Sequence, residues 1–264
     1  GCLNNLESHL LEKLAIAEKV AEKEGNHVIL TGILPTIRLS ELDFDHMSPD
    51  PRYKVLSDML SEMRGEDFNL YIRGVHEMSL KHSSILFEAC NTSFQAHLQL
   101  DAKSFADYYN WAQMISAPVL ASCTNSPILL GKELWKETRI ALFRQSIDVR
   151  HAGNFIRDKQ PRVSFGYDWI ENSVAEIYKN DISRYPLLIT ADIGESSLDV
   201  LKRGELPELK ALNLHNGTLY KWNRACYGLH KGVAHLRIEN RYIPSGPSPI
   251  DEIASTAFWA GLML

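Results

Sequence analysis

The sequence predicts an α+β fold. Two stretches, 93–101 and 235–241, alternate polar and apolar residues with the two-residue period of a strand. Others, 3–25 foremost, repeat apolar residues at the three- and four-residue spacing of a helix. Proline- and glycine-rich segments separate them, and there is no internal repeat or low-complexity tract.

Taken in order, 3–25 is an amphipathic helix on Leu3, Leu6, Leu10, Leu11, Leu14, Ala17 and Val20, stopped by Gly25. Such a helix needs a partner surface. Residues 28–34 read as a short buried strand. A polar stretch follows to Pro51, its Asp43, Asp45 and Asp50 read as loop caps or solvated charge. Residues 51–64 form a helix with Tyr53, Leu56, Leu60 and Met63 as its stripe, and 68–78 a strand with a turn at Gly74. In 93–101, Phe94, Ala96, Leu98 and Leu100 face one way and Ser93, Gln95, His97, Gln99 and Asp101 the other. That wet face is either the solvent side of an edge strand or the wall of a polar cleft centred on His97. Ser104 opens a helix running towards Pro118, and Asn125-Ser126-Pro127 is a turn. The basic stretch 133–150 is partly helical; its Arg139, Arg144 and Arg150 are either surface charge or a supply of positive charge for an anionic ligand. Residues 165–178 read as a helix on Trp169, Ile170, Val174 and Ile177, 187–189 as a strand, and 190–204 as a surface segment. Asn216-Gly217 is a turn leading to Trp222, Asn223 and Arg224, and a last helix starts at Pro249 with Asp251 and Glu252 in its first turn, where negative charge suits the helix dipole.

The stretch 235–241 carries the most chemistry. Leu236 and Ile238 face a core, while Arg237, Glu239 and Arg241 stand together on the opposite face. Pro244, Gly246, Pro247 and Pro249 then end the strand. Two arginines flanking a carboxylate make either a solvated face with cross-strand ion pairs or a phosphate and metal site, since guanidinium grips phosphate oxygens and carboxylate holds a hard cation.

The composition bounds the partners. In 264 residues, 45% hydrophobic and 23% charged, there is ample core material, and a net charge of −5 argues against a general nucleic-acid binder. No apolar run reaches bilayer-spanning length and no signal peptide is visible, so the expected setting is the cytoplasm, without membrane attachment. Cys2, Cys90, Cys123 and Cys226 are scattered without a CxxC pair and read as reduced, mostly buried thiols.

Four pieces in order resemble the glutamate–cysteine ligase family, in its GCS2 or carboxylate–amine ligase branch. They are Pro49-Asp-Pro-Arg-Tyr53 after Gly32-Ile-Leu-Pro35; Asn91-Thr-Ser-Phe-Gln-Ala-His-Leu-Gln-Leu100 with Ala121-Ser-Cys-Thr-Asn-Ser-Pro127; Tyr220-Lys-Trp-Asn-Arg-Ala-Cys-Tyr-Gly228; and His235-Leu-Arg-Ile-Glu-Asn-Arg241 with Ala257-Phe-Trp-Ala-Gly261. The resemblance implies a glutamine synthetase-like funnel, a curved and mainly antiparallel sheet with helices on its outer face, formed by a single catalytic domain over 1–264. It implies ATP and Mg²⁺ as cofactors, amino acids as small-molecule substrates, and amide formation through an acyl phosphate. It implies Glu239 and His97 as metal ligands, Arg241 on the transferring phosphate, Arg237 as a second catalytic candidate, and Arg139, Arg144, Arg150 and Arg224 as contacts to substrate or nucleotide.

One departure stands out. Family members carry an acid-rich strand before a helix like 3–25, and this sequence starts at the helix. The expectation is an N-terminally incomplete domain with most of its metal cage missing and a sheet edge that invites pairing with another copy. The alternative function is a degenerate regulatory module that binds an amino acid or nucleotide; acids on an upstream strand would favour the enzyme.

Overall fold

The computed structural model describes residues 2–83, 85–150 and 160–264. Helix α1 (Cys2–Ala21) continues as a 3₁₀ turn to Glu24 and closes on Gly25 in the left-handed conformation. It packs on the last helix, yet Leu10 and Leu14 are only half-buried and Leu3, Leu6, Leu11, Ile16 and Val20 are exposed. Helix α2 (Pro51–Arg64) starts where Asp50 accepts a hydrogen bond from the Arg52 N–H and Pro51 takes the first helical position. Hairpin β1 (Phe68–Arg73) and β2 (Glu77–His82) turns at Gly74 as expected, with Phe68, Leu70 and Ile72 inward. A 3₁₀ turn (Ile85–Cys90) leads to β3 (Ala96–Leu100) and α3 (Phe105–Ser122). The small pair β4 (Ile128–Leu129) and β5 (Lys132–Glu133) precedes α4 (Thr138–Ser146). Strand β6 (Val163–Ser164), α5 (Val174–Arg184), α6 (Ser197–Lys202) and α7 (Lys210–Asn216) follow. The chain ends with β7 (Tyr220–Lys221), β8 (Asn223–His230), β9 (Val233–Asn240) and α8 (Pro249–Met263).

The α+β class holds. The sheet is not one continuous ladder among the described residues: β3-β9-β8 is three-stranded and antiparallel, β1-β2 and β4-β5 are antiparallel pairs, and β6-β7 is a parallel pair. Strands β8 and β9 turn through Lys231 and Gly232, both at positive φ, the geometry a two-residue hairpin requires. Ala96, Leu98, Ile238 and Ala225 line one face of the three-stranded sheet and join Phe105, Tyr109, Ala112, Tyr242 and Trp259 in the main core. A second cluster holds Ile33, Leu70, Ile72, Met78, Phe87, Leu129 and Leu142.

Several elements differ from expectation. Residues 28–34 form no strand: Val28 and Ile29 are exposed, and Gly32 bonds through its N–H to the Asn125 carbonyl and through its carbonyl to the Thr92 N–H, so loops use the backbone a ladder would need. A Cβ on Gly32 would lie 2.8 Å from the Asn125 carbonyl oxygen and 3.1 Å from Arg139, so only glycine permits this approach. The helix expected over 165–178 begins at Val174, because Glu176 folds back to accept the N–H groups of Glu171, Asn172 and Ser173. Helix α3 runs through Pro118, where the buried Ile115, Ser116 and Val119 outweigh one lost backbone bond. Residues 187–189 form no strand, and the surface segment 190–204 contains α6.

Ile238, fully buried at the centre of β3-β9-β8, tests this core. Ile238→Ala should cost about 2–5 kcal/mol of folding stability, read from the denaturant midpoint.

Candidate functional site

The strand register assembles the site. His97 pairs with Glu239, and Glu239 with Arg224 on the other side, so the three stand in one row across β3, β9 and β8. The next row on the same face is Gln99, Arg237 and Cys226. Arg241 follows directly after β9, its N–H bonded to the Trp222 carbonyl at 2.9 Å.

Glu239 is the hub, at 1% exposure. Its Oε2 accepts from Arg224 Nε at 2.5 Å and lies 3.4 Å from the Cys226 thiol. Its Oε1 lies 3.7 Å from Arg241 Nε and 3.9 Å from His97 Nε2. Burial pushes its carboxyl pKa up, but the charges of Arg224 and Arg241 and the Arg224 hydrogen bond outweigh burial and hold it below the ordinary value. Burial, together with the charges of Arg237, Arg224 and Arg241, lowers the pKa of His97 against the pull of Glu239, which favours the neutral imidazole a metal needs. Burial raises the Cys226 pKa, so it is a thiol donating to Glu239. Burial and the neighbouring Arg224 depress the pKa of Arg241; that guanidinium is under-neutralised and suited to an anion.

The ligand atoms of His97, Cys226 and Glu239 lie within 4.8 Å of one another. One carboxylate oxygen and one imidazole fit part of a cation shell; a protonated thiol does not suit Mg²⁺, which takes hard oxygen ligands. His97 and Glu239 together offer one nitrogen and one oxygen donor and do not form a closed cage.

The arginines divide. Arg224 and Arg241 meet at Glu239, and Arg237 stands in the next row of the same face. Arg139 is buried behind them: Nη1 donates to Glu137 at 3.1 Å and to the Tyr242 carbonyl at 3.2 Å, and Nη2 to the Arg241 carbonyl at 3.5 Å. It supports the backbone carrying Arg241 and lines the cavity next to it. Arg144 is exposed on α4, and Arg150 forms an ion pair with Asp148 at 2.6 Å. Neither touches the Glu239 cluster among the described residues. Sequence reasoning missed Cys226 and Glu88. Cys226 was findable, two residues after Arg224 on one strand face; Glu88 sits in a 3₁₀ turn without a period to mark it.

A fixed carboxylate flanked by the guanidinium groups of Arg224 and Arg241 thus stands beside an imidazole and a cavity. The family model described as glutamate–cysteine ligase family 2 (GCS2) matches residues 1–263. The chain belongs to that family. No curated protein matches it. No helix among the described residues is long and apolar enough to cross a membrane.

The depressed Glu239 pKa sets a pH test. Its stabilising contribution is complete above the ordinary carboxylate pKa of 4.5 and is lost as pH falls through the lower folded value. Glu239→Gln should therefore lower the melting temperature at neutral pH, and its difference from wild type should shrink in acid; thermal melts against pH check both.

Proposed function

We propose that the chain is the catalytic unit of an ATP-dependent carboxylate–amine ligase that forms an amide through an acyl phosphate. The observation that carries this is the buried Glu239 held by Arg224 and Arg241 with His97 alongside, in a chain matched throughout by the GCS2 model. In this reading residues 1–264 act as one unit and the wet faces of β3, β8 and β9 belong to a larger curved sheet.

A carboxylate is a poor acyl donor because oxide is a poor leaving group. Its oxygen attacks the γ-phosphorus of ATP, the bond to the bridging oxygen breaks, and ADP leaves. Arg241, whose terminal nitrogens have no acceptor among the described residues, neutralises charge on the transferring phosphoryl group, and Arg237 lies in the next row of the same face. An amine then attacks the acyl carbon, phosphate leaves, and the nitrogen gives up a proton. Glu239 and His97 would hold Mg²⁺, which would supply charge neutralisation on the phosphates. Arg224 fixes the Glu239 carboxylate, and Arg139 fixes the Arg241 backbone.

The mixed donor set of His97, Cys226 and Glu239 favours one second reading, a module that binds nucleotide or amino acid without turnover. Nucleotide binding without ADP release across a panel of acids and amines would select it.

Arg241→Ala should reduce ATP-dependent amide formation by about 10²–10³-fold with the native fold retained, because it removes charge stabilisation in the transition state. Unchanged turnover in a coupled ADP-release assay would remove Arg241 from the mechanism. His97→Ala should raise the Mg²⁺ concentration needed for half-maximal rate; an unaltered requirement would take His97 out of the ligand set.

A further inference from the structure

A cavity of about 160 Å³ opens beside Arg241 and is bounded by Glu88, Asn91, Gln95, Arg139 and Tyr220. One of its charged groups, Glu88, is unspent, and a second, Arg241, reaches the Glu239 carboxylate through Nε at 3.7 Å. Glu88, half-buried in the 3₁₀ turn before β3, has no hydrogen-bond or ion-pair partner for its carboxylate among the described residues. The nearby Asn91 amide does not serve it, since Nδ2 donates to the backbone carbonyls of Phe87 at 3.2 Å and of Glu88 at 2.9 Å. The terminal nitrogens of Arg241 likewise have no acceptor among the described residues. The remaining cations are engaged, Arg139 with Glu137 and Lys221 with Asp181 at 3.1 Å.

Glu88 and Arg241 face one cavity; burial pushes the Glu88 carboxyl pKa up, and the Arg241 charge pulls against it. They form no ion pair with each other among the described residues. Half-buried charge without a partner is costly, and the arrangement is relieved by a ligand that carries both signs. A cation held by Glu88 alone is a poor fit for Mg²⁺, which needs several oxygen ligands, and a good fit for an ammonium group, which needs one strong acceptor and neighbouring amide oxygens such as Gln95.

We propose that Glu88 is a specificity-determining residue that receives the α-ammonium of an amino-acid substrate whose reacting carboxylate lies at Arg241. This rests on the ligase reading and deepens it: the acid substrate is selected as a zwitterion. A substrate lacking the amine would leave Glu88 unpaired, and sites built around a buried polar group reject ligands that lack its partner.

The test compares L-glutamate with glutarate, which share two carboxylates and differ in the ammonium, by calorimetric titration of the whole protein with Mg²⁺ and a non-hydrolysable ATP analogue. The expected result is a preference for glutamate of about tenfold or more. In Glu88→Gln that preference disappears while glutarate affinity stays as in wild type, which also shows that the cavity is intact. A preference kept in Glu88→Gln overturns the proposal, as does a wild type that does not distinguish the two acids or binds neither. Loss of glutarate binding in the variant overturns it in favour of a structural role, and a shift only in the Mg²⁺ dependence of nucleotide binding overturns it in favour of a metal ligand. ADP release with other acids in the coupled assay would keep the ligase reading alive in each of these cases.

Discussion

The organisation of the site depends on one buried ion pair, Glu239 with Arg224. Burying a carboxylate is unfavourable unless it is paired and hydrogen-bonded, and Glu239 is both. The pair spans β8 and β9, so it also reports their register: a one-residue slip would turn Glu239 into the core and Ile238 out of it. With Arg224 on one oxygen, the other is left facing Arg241 and His97. The same interaction that anchors the sheet sets the direction in which the site can bind.

A second set of buried polar links holds the loop after β9. Glu137 accepts from Arg139 and from the Asn125 N–H, and Asn125 Nδ2 donates to the Ser245 carbonyl at 2.8 Å. Ser245 donates in turn to Glu252 at 2.8 Å on α8. Arg139 reaches the carbonyls of Arg241 and Tyr242. The position of Arg241 is thus fixed by α4, the 125–127 segment and α8 together. The conformation of one ligand-facing residue depends on three segments far apart in sequence, and the close approach at Gly32 completes the packing around Arg139.

Much of this was legible beforehand. Period-two alternation placed His97 with Gln99 and Arg237 with Glu239 on wet faces, and the structure puts those faces side by side. The stripe of Leu56 and Leu60 marked α2 over 51–64, and the structure adds its caps at Asp50 and Gly65. Where reading failed, a longer-range or a finer local constraint prevailed. Apolar residues at 28–34 suggested a strand, but loop hydrogen bonds claimed the backbone; Trp169 and Ile170 suggested helix, but the Ser173–Glu176 capping box set the start later.

Periodicity and residue type, local properties of the chain, determined the α+β class, two of the three central site strands (β3 and β9 but not β8), several helices, and most of the residue set from which the site is drawn. Partner assignment came only with the tertiary structure. Sequence alone left Arg139, Arg144 and Arg150 equivalent. Packing buried the first behind Arg241, left the second in solvent and paired the third with Asp148. It also brought Cys226 to Glu239 and placed Glu88 on the cavity of Arg241. The physical reason is that charge–charge and hydrogen-bond energies depend on distances of a few ångströms, often between residues distant in sequence such as Arg139 and Tyr242, and the periodicity of the chain does not encode those distances.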